Sequence, residues 1–347
     1  MNNQMDNLIQ FMMRLIRYKI NREPIPAKIR TELSNDVLKQ LYSLSKAHDI
    51  AHLTGVALEE NELLSNDNYI STQFRKQIAM AVYRYEQLNF ELNQICKVFE
   101  DSRIPFIPLK GAVLRSYYPE SWMRTSCDID ILIHHENIRK ANKILEELLY
   151  NKIASSTHDI SYYSSFGVHI ELHYFLIEDN VNNKSEQPLK KIWDYTYCKP
   201  NSSHYIMVDE MFYYYHLAHM AKHFVHGGCG IRPFIDLWVL NHRMSYDKVK
   251  REQLLEEGGL LAFEQVAVKL SEVWLSNTKP DEITKAMEKY ILSGGVYGNM
   301  ENKVAVQRTK KGGKYNYFFR VFLCLTKISN IFIPFYKNTN GCYLLCK

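Results

Sequence analysis

The sequence of 347 residues lacks the cysteine patterns of disulfide-stabilised domains and zinc ribbons. Its seven cysteines are an odd number and include no Cys-x-x-Cys pair. Such folds depend on paired cysteines at characteristic spacings, so neither class is expected. The prediction that follows is a cytoplasmic protein with reduced cysteines.

The chain also lacks an unbroken apolar run long enough to cross a membrane. Its N-terminus has no basic segment leading into a continuous apolar run and a small-residue cleavage site, so no signal peptide is predicted. The most apolar stretch, residues 315–336, is interrupted by Arg320, Lys327 and Asn330. An integral membrane protein is therefore not expected. We predict that 315–336 packs on the body of the protein, with peripheral membrane contact as the alternative.

Blocks of like charge are absent as well. Lys and Arg number 43 against 38 Asp and Glu, a net charge of +5, and the basic residues are dispersed. A nucleic-acid polymerase or tailing enzyme would need a continuous basic groove, so nucleic acid is not an expected partner. The mildly basic balance suits a small phosphate-bearing ligand.

Two acidic residues stand in the most structured stretch of the sequence, residues 104–133. An apolar strand leads through a Lys110-Gly111 turn into a short helix, a polar loop and a second strand. Strand side chains alternate between faces, so Asp128 and Asp130 point the same way while the isoleucines around them face a core. Two carboxylates are therefore predicted to lie side by side.

Like charges this close repel unless a cation lies between them. A hard divalent cation such as Mg²⁺ accepts carboxylate, water and phosphate oxygens, so Mg²⁺ or Mn²⁺ is the expected cofactor. The alternative is that one Asp caps the next element and the other lies at a solvated sheet edge.

The motifs of this stretch resemble those of the DNA polymerase β-like nucleotidyltransferase superfamily, in particular a bacterial branch of it. The matching elements are Leu109-Lys110-Gly111, Tyr118-Pro119, Arg124 and the strand from Asp128 to Ile133. The resemblance implies an α+β fold with a small mixed sheet and helices. It also implies Asp128 and Asp130 as metal ligands, and Lys110, Gly111 and Arg124 as nucleotide-binding residues.

The turn departs from the wider superfamily, whose usual Gly-Ser pair is Lys110-Gly111 here. Sixteen residues separate Gly111 from Asp128, as in the branch that this chain resembles. Backbone amides at the turn and at the start of the following helix are expected to hold phosphate.

A third carboxylate is expected on a neighbouring strand. In the strand pattern at 168–175, Glu171 shares a face with His169 and His173, and the resemblance places an acid two residues before a histidine. Glu171 is predicted as metal ligand or general base, and His173 as nucleotide-binding. An exposed edge strand with polar residues outward is the alternative.

A predicted helix at 209–225, with Asp209 as its N-cap, carries a row of histidines. His216, His219, His223 and His226 fall on one face. They are interpreted as core histidines, as residues facing a nucleotide, or as zinc ligands, although only His219 and His223 have i, i+4 spacing.

The resemblance extends loosely to the next helix. His216, His223, Arg232 and Asp236 match its pattern of a histidine-bearing helix, an arginine and, four residues on, an aspartate. Arg232 is assigned to nucleotide binding and the other three to second rank. The alternative is that Arg232 and Asp236 simply pair along one helix.

We predict a helical N-terminal region over 1–101, a nucleotidyltransferase core over 102–180 and a helical C-terminal region over 181–347. Helical periodicity supports segments at 7–17, 34–48 with Ser34 or Asn35 as cap, 71–101, 134–149, 231 onward and 246–290, followed by a loop at 294–313. A strand is also predicted at 158–164.

The function predicted from these residues is transfer of a nucleoside monophosphate from an NTP to a hydroxyl or phosphate of an unidentified small-molecule, peptide or protein acceptor. Asp128, Asp130 and Glu171 would be catalytic. The alternative is a nucleotide-binding or scaffold protein on the same fold that no longer turns over.

Overall fold

A computed structural model describes residues 3–176, 184–296 and 298. The apolar stretch 315–336 and nearly all of the predicted loop at 294–313 lie outside the described residues.

Five helices form the N-terminal region. They are α1 (Asn3–Asn21), α2 (Ile29–Glu32), α3 (Asn35–Ala47), α4 (Ala51–Glu60) and α5 (Tyr69–Asp101). The three segments predicted here are confirmed as α1, α3 and α5, and the Ser34 hydroxyl caps α3 by accepting from the Val37 amide at 3.3 Å. Helix α4 was not predicted because residues 51–58 are buried all round, which removes the amphipathic period.

A five-stranded mixed sheet follows. In chain order the elements are β1 (Phe106–Pro108), α6 (Gly111–Leu114), β2 (Asp128–Ile133), α7 (Ile138–Glu147), β3 (Asn151–Ser155), β4 (Asp159–Tyr163) and β5 (His169–His173). The strand order is β1-β2-β5-β4-β3, with β2 and β5 parallel and the other neighbours antiparallel. The edge strand β3 was not predicted because all of its residues are exposed and carry no alternation of polarity.

The two faces of this sheet differ in chemistry. The isoleucine face, formed by Ile129, Ile131 and Ile133 of β2 with neighbours on β5, packs in one core with residues of α5 and α7. The opposite carboxylate face consists of Asp128, Asp130 and Leu132 of β2 with His169, Glu171 and His173 of β5. The predicted alternation along β2 is confirmed.

The C-terminal part packs against the carboxylate face. It contains the hairpin of β6 (Thr196–Cys198) and β7 (Tyr205–Met207), then α8 (Asp209–Val225), α9 (Arg232–Arg243), α10 (Lys248–Glu257), α11 (Leu261–Leu275) and α12 (Glu282–Gly294). Leu132 shares the large core with buried residues of α8, α9 and α11. The hairpin was not predicted, because each strand has only three residues.

Asp209 is not the N-cap of α8. Val208 occupies that position and Asp209 is the first helical residue, where its negative charge still complements the helix dipole. In the described part of the chain, every helix is too short or too polar to span a bilayer.

Candidate active site

The parallel register of β2 and β5 brings the three predicted carboxylates together. Asp130 is opposite Glu171, and Asp128 is opposite His169. Ligand atoms of Asp128, His169 and Glu171 all lie within 4.8 Å of one another, and so do those of Asp130, Glu171 and His173. Residues 43 positions apart in sequence therefore form one cluster because adjacent strands align them.

Asp130 is the buried centre of this cluster, with 2% of its surface exposed. Its Oδ1 accepts from Lys110 Nζ at 2.7 Å and from His173 Nε2 at 2.8 Å. Burial alone would raise the pKa of Asp130, but these two donors hold it well below its usual range. Asp130 is therefore ionised at neutral pH.

The other groups respond to the same charges. Burial, and then the nearby Asp130, raise the pKa of Asp128, while Lys110 opposes this shift. Burial would lower the pKa of His173, but hydrogen bonds with Asp130 and Glu171 raise it to about 9. His173 is thus an imidazolium at neutral pH, whereas Asp128 lies beside the negative charges of Asp130 and Glu171.

Lys110 reaches Asp130 from an uncommon backbone conformation, with φ +42° and ψ −118°. A positive φ strains a residue with a side chain, and such positions concentrate at functional sites. At the next position only glycine fits, because a Cβ on Gly111 would lie 2.9 Å from the Cβ and Oγ of Ser126. The turn thus packs closely against Ser126, in the loop that leads into β2.

The amides after this turn already have partners. Ala112 donates to the Leu109 carbonyl and Val113 to the Lys110 carbonyl, both at 3.1 Å, and α6 is only four residues long. Phosphate binding by these amides stays a prediction, and these hydrogen bonds do not favour it.

Arg124 lies in a separate, buried network. Its Nε donates to Asp236 Oδ1 at 2.6 Å, and the Tyr118 hydroxyl donates to the same oxygen at 2.7 Å. Asp236 is fully buried; burial would raise its pKa, but Arg124 holds it below the usual value. Two motif residues are therefore tied to α9 through one carboxylate.

Arg232 and Asp236 do not pair along α9, contrary to that interpretation. Arg232 instead donates to Asp49 Oδ2 at 2.5 Å and contacts Thr125 Oγ1 at 3.3 Å. Asp236 bonds Arg124 and Tyr118 through Oδ1. Neither Arg124 nor Arg232 lines the cleft described below.

The histidines of α8 have different surroundings. His216 Nε2 lies 3.3 Å from the Pro233 carbonyl, and His219 and His223 have their Nε2 atoms 3.2 Å apart. His226 bonds the Lys222 carbonyl at 2.6 Å. Within the described residues, both groupings with metal-ligand spacing belong to the carboxylate cluster, and neither includes an α8 histidine. Zinc binding by this row is therefore not supported.

A cleft of about 280 Å³ opens beside the cluster. Among the described residues, it is lined by Lys110, His158, Asp159, Glu171, His173, Phe175, Leu176, Ser185, Glu186, Leu189, Tyr215, Ala218, His219 and Lys222. Glu171 and His173 belong to both the cleft and the cluster, and Lys110 lines the cleft and bonds Asp130, which is buried behind them.

One face of α8 forms the wall opposite the carboxylates. Tyr215, Ala218, His219 and Lys222 have the spacing i, i+3, i+4, i+7 of a single helical stripe. Tyr215 and Lys222 were not predicted as site residues, because only the histidines of this helix form a recognisable row in the sequence. A signal was present: this stripe contains a small residue, a phenol and two basic side chains.

The donor set suits a hard divalent cation. Three carboxylates supply the oxygen ligands that Mg²⁺ and Mn²⁺ prefer, and imidazole nitrogens of His169 and His173 adjoin them. Burial and, after it, the negative charge of Asp130 raise the pKa of Asp128, and a bound metal ion would offset the second of these. The residues present therefore fit such an ion.

Comparison with known proteins agrees with this arrangement of a mixed sheet, clustered carboxylates and a partly basic cleft. A sequence model of a protein family, described as uncharacterised nucleotidyltransferase, matches residues 36–276. The chain belongs to this family. No curated protein matches the sequence. The matched residues run from α3 through α11 and contain every candidate site residue, and membership supports transferase activity of the nucleotidyl type.

Proposed function

We propose that this protein is a metal-dependent nucleotidyltransferase of the polymerase β-like superfamily, in its bacterial branch. It would transfer the nucleoside monophosphate of an NTP to a hydroxyl or phosphate of a small-molecule, peptide or protein acceptor. The observation that carries the proposal is the cluster of Asp128, Asp130 and Glu171 on adjacent parallel strands, at the base of a cleft with Lys110 on its wall.

Asp128, Asp130 and Glu171 would hold Mg²⁺ or Mn²⁺. An ion bound there would supply Lewis-acid polarisation of the phosphoryl oxygens.

The chain's own residues would bind and orient the substrates. Lys110 and Lys222 carry positive charge on the cleft wall, and Tyr215 offers a hydroxyl donor, so the triphosphate is expected between them. Glu171 faces both the cleft and the cluster. It is therefore placed to orient the acceptor hydroxyl or to take its proton.

Arg124 and Arg232 would act at a distance from the substrate. Their guanidinium groups are committed to Asp236 and Asp49, and both adjoin Thr125, three residues before Asp128. Their proposed role is to fix the loop that leads into β2, which sets the position of the first carboxylate. His216 and His223 have no assigned contact with the cleft and remain second-rank candidates.

The test is metal-dependent release of pyrophosphate from each of the common NTPs, with and without cell extract as a source of acceptor. The Asp128→Asn/Asp130→Asn double variant should lose about 100-fold or more of the activity, since the charges that hold the metal are gone. Asp101→Asn on α5, whose side chain is 65% exposed, is the matched control and should keep full activity.

Release that requires extract and is lost only in the double variant would support the proposal. Metal-dependent NTP binding without any release would favour the non-catalytic nucleotide-binding protein. Absence of both nucleotide and metal binding would contradict the proposal altogether.

A further inference from the structure

The ammonium group of Lys110 lies where a metal ion bound to Asp130 would have to approach. Lys110 Nζ is 2.7 Å from Asp130 Oδ1, and the same oxygen accepts from His173 at 2.8 Å. Asp130 itself is 2% exposed and does not line the cleft, whereas Lys110 and His173 do. A cation entering from the cleft therefore meets these two side chains before it meets Asp130.

A divalent ion and the ammonium group cannot both be close neighbours of this oxygen without strong repulsion. Lys110 has an alternative position, because its side chain is 24% exposed and lines the cleft, so Nζ can turn toward solvent without opening the core. The four-carbon stem of Lys110 is flexible. Movement of Lys110 would therefore clear one side of Asp130 Oδ1 for a metal.

We propose that Lys110 is a displaceable counter-ion of the metal site. In the metal-free protein it neutralises Asp130. When a divalent metal binds, Lys110 leaves Asp130 and its ammonium group enters the cleft, where it contacts the phosphates of an NTP. The inference rests on the proposed function, and it adds that metal binding creates part of the nucleotide site.

Positive coupling between the two ligands follows from this exchange. Metal releases Lys110 for the nucleotide, and the nucleotide stabilises the released position, so each ligand should raise the affinity for the other by the same factor. Without Lys110, metal should bind more tightly alone, and the gain that nucleotide brings should shrink.

The first test measures Mn²⁺ binding by electron paramagnetic resonance, with and without a non-hydrolysable NTP analogue. For Lys110→Met, which keeps the length of the side chain, we expect Mn²⁺ affinity in the absence of nucleotide to rise about tenfold or more. We expect the added effect of the analogue to shrink, leaving the part that comes from contact between the metal and the phosphate oxygens. Lys110→Arg keeps the charge and should stay close to the wild type in the absence of nucleotide.

Lys222→Met is the matched control, since it removes one positive charge from the opposite wall of the same cleft. Equal gains in Mn²⁺ affinity for Lys110→Met and Lys222→Met would overturn the inference, because the effect would then be one of overall cleft charge.

The second test needs no variant and follows the position of Lys110 directly. Acylation of lysines by a water-soluble reagent, read by mass spectrometry, should be slow at Lys110 in the metal-free protein. It should become faster with Mg²⁺ alone and slow again with Mg²⁺ and the NTP analogue. Lys143, whose side chain is 79% exposed, serves as the internal standard.

Unchanged acylation of Lys110 on saturation with Mg²⁺ would overturn the displacement while leaving nucleotidyl transfer intact. Failure of the wild type to bind Mn²⁺ even with nucleotide would instead contradict the proposed function. The two failures are therefore distinguishable.

Discussion

Two buried aspartates of this protein bond cationic side chains in different surroundings. Asp130 bonds Lys110 and His173 at the edge of a cleft, and Asp236 bonds Arg124 and Tyr118 inside the core. Both are at most 2% exposed, so burial does not separate them. The difference lies in the partners: Arg124 has a rigid fork and is not among the residues that line the described cleft, whereas Lys110 has a flexible stem and lines it.

Asp236 therefore holds elements together, whereas Asp130 lies where a metal ion could replace its lysine partner. Tyr118 and Arg124 lie between α6 and β2, and Asp236 lies in α9. Their hydrogen bonds therefore connect the sheet region to the C-terminal helices. Asp130 adjoins Glu171 and, through it, the rest of the carboxylate cluster. Each of the following predictions tests one side of this contrast.

The largest effect on stability is expected for Asp236→Asn. It leaves the Arg124 guanidinium, whose side chain is 10% exposed, without its carboxylate, and breaking such a pair costs about 3–5 kcal/mol. Asp130→Asn should cost less than half as much, because Lys110 can turn into the cleft and become hydrated and His173 keeps Glu171 as a partner at 3.4 Å. Urea unfolding of the two variants, with Asp101→Asn as control, measures both values. Equal losses would remove the distinction between the two aspartates.

Tyr118, which bonds Asp236, and Tyr215, which lines the cleft, should contribute differently to stability. Tyr118→Phe removes a buried hydrogen bond to a carboxylate, so the free energy of unfolding should fall by about 1.5–3 kcal/mol. Tyr215→Phe, also a buried residue, should change it by less than about 0.5 kcal/mol, since the Tyr215 hydroxyl belongs to the cleft wall. A loss for Tyr215→Phe as large as that for Tyr118→Phe would place Tyr215 among the structural residues.

Much of the carboxylate cluster was predictable, because its signals are local. The alternation of Asp128 and Asp130 with isoleucines is a property of one strand, and the same period placed Glu171 and His173 together on another. Helices with a single apolar face, such as α3 and α5, were predictable for the same reason. The periodicity of one segment shows which of its faces is buried.

The partners of long-range polar residues were not predictable from such local patterns. The alternative interpretation paired Arg232 with Asp236 at i, i+4, but Arg232 binds Asp49, 183 positions away. Tyr118 and Arg124 reach Asp236 across more than a hundred positions. These pairings depend on how whole elements pack against one another. The same packing decides which side chains of α8, such as Tyr215 and Lys222, line the cleft.

Two buried histidines have pKa values shifted in opposite directions. His48, at the end of α3, is 1% exposed, and burial lowers its pKa to about 4, whereas His173 beside two carboxylates has its pKa raised to about 9. A lowered pKa means that the folded state binds fewer protons than the unfolded state between pH 6.5 and about 4, so stability is lost as pH falls through this window.

Between pH 7 and 5 this loss should be about 2 kcal/mol for His48. Phe in its place cannot titrate, so His48→Phe should unfold in urea with a shallower dependence on pH over that interval. An unchanged slope in His48→Phe would mean that His48 does not titrate differently in the two states.

The smallest effect is expected on nucleotide binding at the α8 wall. Tyr215→Phe removes one donor from the proposed phosphate site, and the Kd for an NTP analogue with Mg²⁺ should rise about three- to tenfold, the value of a single hydrogen bond. Tyr118→Phe should leave this Kd unchanged once the protein is folded, because Tyr118 bonds Asp236 and does not line the cleft. Calorimetric titration of both variants at a temperature well below unfolding measures the difference. A change in Kd for Tyr118→Phe but not for Tyr215→Phe would reverse the roles assigned to the two regions, and the buried network would then have to be regarded as part of the nucleotide site.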